Sequence, residues 1–307
     1  MDYVEKYLNE LKDDGRKPGT LRVTKIILNR FQDCVGNKSL IEIDKLDIDR
    51  FVNELSKTNN QRSTSEIIQK VKRFYEYLLE EEIIIKNPLK IKAKRLQNGT
   101  MPMTTRPSRS FDEVKNFVHG VSNIRDQAMI VLFLKTLVRN GELCALTLDD
   151  IDEERRLLNV DKRFDEASKE ILPGRKNGNT TQIPLDEETT RILKRYLKTR
   201  QKSKDNSLFL TYKKEGMGTD TPYQVFTGWS EKLNLSNNGG KYSKAITPHW
   251  ARAWGGLQLE KCGISESVID YIRGDKPSST RGRYSRAVLD IEDVKEQYIS
   301  KIFKFGL

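Results

Sequence analysis

The sequence predicts a mainly α protein with a small antiparallel β-sheet, split into an all-helical first domain and a mixed α+β second domain. Apolar residues recur at helical spacing through most of the 307 residues. That length exceeds what one hydrophobic core ordinarily organises, so two domains are expected. Two short strand-like runs lie in the second half, and Asn177-Gly178 gives a turn signal just before the second of them.

Residues 1–92 read as a four-helix domain. Val4, Leu8 and Leu11 mark one helical face; Leu21, Ile27, Leu28 and Phe31 a second; Phe51, Val52 and Leu55 a third; Ile67, Val71, Phe74, Tyr75 and Leu78 a fourth. Asn87-Pro88 closes the domain, because the residue before a proline is pushed out of helical geometry. Residues 93–108 have no hydrophobic period and include Gly and two prolines, which reads as a linker.

The second domain, 109–307, opens on a capping box of Ser110 and Glu113, followed by Val114, Phe117, Val118 and Val121 on one face. A helix beginning near Asp126 is apolar almost all round and should be central; Asn140-Gly141 is expected to break it, leaving Arg139 at its end. A short helix through Glu142 follows. The strand-like runs end at Val160 and span 180–185, with the polar stretch 161–169 between them resembling an insertion. Asp186 caps a helix with Ile192, Leu193, Tyr196 and Leu197 inward, and a third short strand is expected at 208–210. Helices then run from Thr247-Pro248-His249 to Cys262 and from Ser265 to Gly274, and a last amphipathic helix carries Val294, Tyr298, Ile299, Ile302 and Phe303.

Lys plus Arg number 55 against 44 acidic residues, a net charge of +11, so a polyanion such as nucleic acid is the expected partner. The longest apolar run falls far short of the ~20 residues of a membrane span, and there is no hydrophobic signal core. A soluble, cytoplasmic and nucleoid-associated protein is expected. Cys34, Cys144 and Cys262 are odd in number and widely spaced, and His119 and His249 are the only histidines. That usage indicates neither a disulfide framework nor a metal site. Arg62, Lys70, Lys72 and Arg73 on the fourth helix, with Lys17 and Arg22 near the start of the second, are candidate contacts for DNA phosphates, though such a row also suits a solvated face.

The stretch 272–286, IRGDKPSSTRGRYSR, sets Tyr284 among four arginines and a lysine. Neighbouring cations favour phenolate over phenol and also attract a phosphodiester, so this tyrosine is a candidate covalent nucleophile. Upstream, His249 and Arg252 are three residues apart, share a helical face and can meet one phosphate together. With Arg139 before them, the order Arg, Lys, His-x-x-Arg, Tyr resembles the tyrosine recombinase family, the phage-type integrases and Xer-like recombinases. Segment 136–151, TLVRNGELCALTLDDI, is similar to the family's first-arginine segment, with Glu142 at the acidic position. Segment 175–185, RKNGNTTQIPL, is similar to its lysine hairpin, and Tyr284 follows position 275 by the family's interval of nine residues.

The resemblance implies a helical core-binding domain and a catalytic domain that close on double-stranded DNA at a specific attachment site. It further implies a tetramer assembled through the helix at about 290–304, and integration or excision of a mobile element, with neither metal nor ATP. Tyr284 would attack the scissile phosphate and keep the 3′ end, Arg139 and Arg252 would grip the non-bridging oxygens, Lys176 would protonate the leaving 5′ oxygen, and His249 would assist proton transfer or hold the phosphate. The sequence departs from the pattern in three ways. Asp275 stands where the family has His or Trp; a carboxylate there should point away, leaving Trp254, Lys276 or Arg281 to substitute. Arg-Gly-Asp at this point resembles some archaeal integrases. Ala253 replaces a frequent histidine, and the longer interval before Lys176 leaves Lys162 and Lys169 as rival catalytic lysines. The competing functions are a type IB topoisomerase-like enzyme and a non-catalytic DNA-binding descendant.

Overall fold

The computed structural model describes residues 2–36, 38–89, 108–235, 245–276 and 289–307. Tyr284, Arg281 and nearly all of the expected linker fall outside them. The chain divides into two compact units, Met1–Thr104 and Thr105–Leu307.

Four helices form the first unit: α1 (Tyr3–Asp13), α2 (Pro18–Val35), α3 (Lys45–Thr58) and α4 (Gln61–Glu80). Their starts are written in the chain. Asp2, Asp44 and Asn60 accept first-turn amides, and Pro18 opens α2, where its missing N–H is no loss. Each apolar stripe meets the others in a core whose centre is aromatic, with Phe31 edge-on to Phe51 (5.1 Å) and to Tyr75 (6.0 Å). Ile84 and Leu89, beyond α4, are buried in the same core.

In the second unit α5 (Phe111–Gly120) begins at the predicted capping box, Ser110 and Glu113 satisfying each other's amides. Next, α6 (Ile124–Thr136) is buried over nearly its whole circumference and forms the centre of the core. It ends earlier than the sequence suggests. Leu137 takes a left-handed φ of 54° to close α6, and Asn140-Gly141 opens the next helix, α7 (Asn140–Ala145), instead of breaking the last. Arg139 is therefore the residue that caps α7. Gly141 is needed because a Cβ would lie 2.6 Å from the carbonyl oxygen of Phe164.

Strands β1 (Ile151–Asp152), β2 (Leu157–Val160) and β5 (Thr181–Pro184) pair antiparallel in the order β1-β2-β5. The polar stretch 161–169 is no shapeless insertion. It is most of a second hairpin, β3 (Lys162–Asp165) with β4 (Glu170–Pro173), laid against α7. Residues 208–210 make no strand; Leu208 N donates to Leu146 O at 2.7 Å, and a lone bridge joins Thr147 to Ser207.

After α8 (Glu187–Thr199) comes α9 (Asp220–Lys232), a helix absent from the elements the sequence predicts. The unit closes with α10 (Pro248–Lys261), α11 (Glu266–Arg273) and α12 (Ile291–Lys301). At Gly255 α10 crosses α6 backbone to backbone: an added Cβ would sit 2.3 Å from Leu134 O. The last helix stops at Lys301, and Ile302, Phe303 and Phe305 continue into the core as an irregular tail. Val294 and Tyr298 face this same core, so α12 spends its apolar side within its own unit.

Glu188 anchors the tail by accepting the amides of Phe305 (2.9 Å), Gly306 (2.6 Å) and Leu307 (2.8 Å). It also shares the fully buried Lys135 with Asp186, at 2.7 and 2.6 Å. Burial alone would raise the Glu188 carboxyl, but Lys135 and the tail amides hold it below its usual range. Among the described residues no helix is long and apolar enough to cross a membrane, and no group of His, Cys, Asp and Glu is arranged to hold a metal ion.

Candidate active site

Three separate pieces of the second unit converge where α11 ends. The first is the α6–α7 junction, which supplies Arg139 and Glu142. Glu142 Oε2 accepts the Arg139 amide at 2.8 Å, and its Oε1 accepts from Arg139 Nη1 at 3.0 Å, so the arginine is fixed through backbone and side chain alike. The second is α10, which carries Arg252 one turn after His249. The third is the α11 terminus, where Gly274 at φ 62° turns the chain and sets Asp275 back toward the helix end.

The base beneath these groups is Arg175. It is fully buried, pairs with Glu142 through Nε (3.0 Å) and Nη2 (2.9 Å), and donates to the carbonyls of Ile272 and Arg273 at 2.8 Å each. Burial would raise Glu142, but Arg175 and Arg139 keep it below the usual carboxylate range and hence ionised. Breaking such a pair from one side leaves an uncompensated buried charge, at about 3–5 kcal/mol. Sequence alone does not single out Arg175, since an arginine beside a turn is ordinarily solvated; its one signal is adjacency to Lys176.

Asp275 does not point away. Its Oδ1 receives Arg139 Nη2 and, at 3.3 Å, Arg252 Nη2; its Oδ2 receives Arg273 Nε at 2.7 Å. Burial opposes its ionisation, and the hydrogen bond from Arg273 with the charges of Arg252, Arg273 and Arg139 outweighs it, leaving the carboxyl below its ordinary value. Arg252 is pushed down to about 9, first by burial and then by Arg139 and Arg273, and so stays charged at neutral pH. Four guanidiniums here face two carboxylates. The excess is positive, which suits an incoming anion.

Trp254 is not a substitute for Asp275: its Nε1 donates to Arg109 O at 3.1 Å, and its ring packs on Phe111, Trp250 and Phe303. Lys276 is exposed. Lys176 is exposed on the turn between β4 and β5. Its neighbours tie that turn to the site, since Arg175 binds the α11 carbonyls and Asn177 Nδ2 donates to Gly274 O at 3.2 Å. Lys162 is paired with Asp150 and Asp161, and Lys169, at the tip of the β3–β4 hairpin, with Glu166. His249 is exposed in the first turn of α10.

In the first unit Lys70 and Arg73 line one polar cleft of about 350 Å³ with Arg16, Glu10, Asp14 and Glu76. Lys70 lies 3.5 Å from Thr24 Oγ1 and is lowered by burial and by Arg73. Arg62 pairs with Glu66 on an open face, and Lys17 and Arg22 are exposed near the start of α2.

Residues 109–288 match the phage integrase family, and residues 1–96 match the phage integrase SAM-like domain. The chain is 25% identical over 291 residues to the tyrosine recombinase XerA of Pyrococcus horikoshii, covering 93% of this chain and 89% of that one. It is 24% identical over 273 residues to the transposase of transposon Tn916 from Enterococcus faecalis, covering 84% and 67%. Among solved structures, the Tn1549 transposon integrase in complex with transposon right end DNA superposes with a TM-score of 0.72 at 19% identity, over 94% of this chain and 98% of that one. A lambda integrase tetramer bound to a Holliday junction gives 0.70 at 17% identity, over 91% and 77%.

Proposed function

The chain belongs to the phage integrase family and is a tyrosine recombinase, and on that footing we propose that it breaks and rejoins duplex DNA through Tyr284. One observation carries the assignment of its centre. Arg139, from the α6–α7 junction, and Arg252, from α10, meet on one carboxylate oxygen, as two guanidiniums do when they share a phosphate.

In the reaction the Tyr284 oxygen bonds to phosphorus and the bond to the 5′ oxygen breaks. The phenolic proton leaves toward His249 or solvent, and Lys176 gives a proton to the departing 5′ oxygen. Charge that builds on the non-bridging oxygens is neutralised by Arg139 and Arg252. The phosphotyrosyl bond retains the energy of the phosphodiester, so a 5′ hydroxyl from another strand can reverse the step. The SAM-like first unit, with Lys70, Arg73, Arg62, Lys17 and Arg22, supplies the non-specific grip on phosphates. Assembly is as a tetramer on DNA in the cytoplasm, at the ends of a mobile element; the tetrameric lambda structure and the transposon relatives support that reading.

A nicked suicide substrate bearing the attachment site tests the chemistry. Wild type should form an adduct that survives denaturation, and Tyr284→Phe should not; an adduct in the variant would mean another tyrosine is the nucleophile. A 5′-bridging phosphorothiolate needs no acid at the leaving group. It should restore cleavage to Lys176→Ala, and rescue of Lys162→Ala or Lys169→Ala instead would reassign the acid.

A further inference from the structure

The carboxylate of Asp275 presents one negative charge over two oxygens, and so does the non-bridging pair of a phosphodiester. Its two oxygens are shared by three guanidiniums: Arg139 on Oδ1, Arg273 on Oδ2, and Arg252 Nη2 across both at 3.3 and 3.5 Å. Arg273 is the last residue of α11, where a cation ordinarily serves the helix's carbonyl end. Here that end is already served by others, because the Arg273 carbonyl accepts from Arg139 (3.3 Å), Arg175 (2.8 Å) and Arg252 (2.8 Å). The Arg273 side chain turns instead to the anion. Arg252 Nη1, buried, has no hydrogen-bond partner among the described residues, which leaves a donor in hand beside the same seat.

We propose that Asp275 occupies the seat of the scissile phosphate and that Arg273 is a third guanidinium for that phosphate. This rests on the recombinase reading of the same site and extends it to a residue outside the family resemblance. When the phosphate enters, Asp275 gives up its place, and the position that lacks a His or Trp donor is made good by the arginine two residues earlier.

The competing account is that Arg273 only balances the charge of Asp275. Cleavage of a suicide substrate with a normal scissile phosphate, and of one with a neutral methylphosphonate there, separates the two. Arg273→Ala should slow adduct formation on the phosphate by on the order of 100-fold, as loss of one transition-state donor does. On the methylphosphonate, which has one negative charge fewer for the guanidiniums to meet, the defect should shrink to less than about tenfold. Arg273→Lys should fall between wild type and Arg273→Ala on the phosphate. An equal defect on both substrates, full activity of Arg273→Ala, or recovery of Arg273→Ala by Asp275→Asn would overturn the proposal. Absence of a wild-type adduct on a confirmed site would instead remove the recombinase reading, and this inference with it.

Discussion

The second unit contains two buried ionic clusters built on opposite plans. Around Lys135 one cation meets two carboxylates, all three nearly inaccessible, and the tail amides of 305–307 fill the remaining acceptors of Glu188. Around Asp275 four guanidiniums meet two carboxylates, and Arg139, Arg273 and Asp275 keep 23–30% of their side-chain surface open. The first cluster is closed and its donors are spent within the fold. The second is open and carries an excess of positive charge, as the proposed phosphate site requires. Burial of charge thus serves architecture in one place and reactivity in the other, and satisfaction of partners tells them apart.

The largest effect should come from breaking the closed cluster. Lys135→Met leaves Asp186 and Glu188 buried without their cation, a loss of about 3–5 kcal/mol. A urea melt of the full chain should show it, and a variant within about 1 kcal/mol of wild type would end the contrast. Arg252→Gln is the converse case. Arg252 is charged against the push of burial and two neighbouring cations, so its removal should leave the melting temperature unchanged or raised while adduct formation drops by on the order of 100-fold. A variant that loses stability in proportion to activity would make Arg252 an architectural residue.

Acid offers a third handle. Glu142, Glu188 and Asp275 all have carboxyls lowered from their ordinary values, so each contributes stability that is present above about pH 4 and is lost as pH falls through the lowered values. Stability followed by chemical denaturation from pH 7 to 3 should therefore fall, and Glu188→Gln should flatten the slope; a slope identical to wild type would mean Glu188 is not among the titrating groups. The smallest effect belongs to the open surface of the first unit. Arg62→Ala breaks an exposed pair with Glu66, about 0.3–0.5 kcal/mol, and should weaken DNA binding mainly by reducing its salt dependence.

Much of this was legible in the sequence where one residue reports on one element. The apolar run of α6, the capping box at Ser110 and the Thr247-Pro248 start of α10 all name their own structure. Legibility failed where a residue's partner lies far away in the chain. Arg175 looks like a turn cation until α11 is folded over it, and Arg273 looks like a helix-end cation until three other arginines take its carbonyl. The β3–β4 hairpin was hidden because its strands offer little beyond Phe164 to the core, and α9 because Pro222, Val225 and Phe226 give it only a narrow apolar edge. Asp275 is hard to place for a physical reason: its charge repels a phosphate, but the same charge draws Arg139, Arg252 and Arg273 to it once the fold brings them together.

The backbone contact at Gly255 sets how the site can move. With α6 and α10 touching main chain to main chain, and the Leu137 side chain packed beside the contact, the two helices have little room to slide. Arg252 on one helix and Arg139 just beyond the other are then held like the two jaws of a fixed gauge. On the proposal that a phosphate takes the seat of Asp275, what yields is the single turn at Gly274 and the Asp275 side chain after it, a motion of nanoseconds to microseconds and not the slower reshuffling of packed helices.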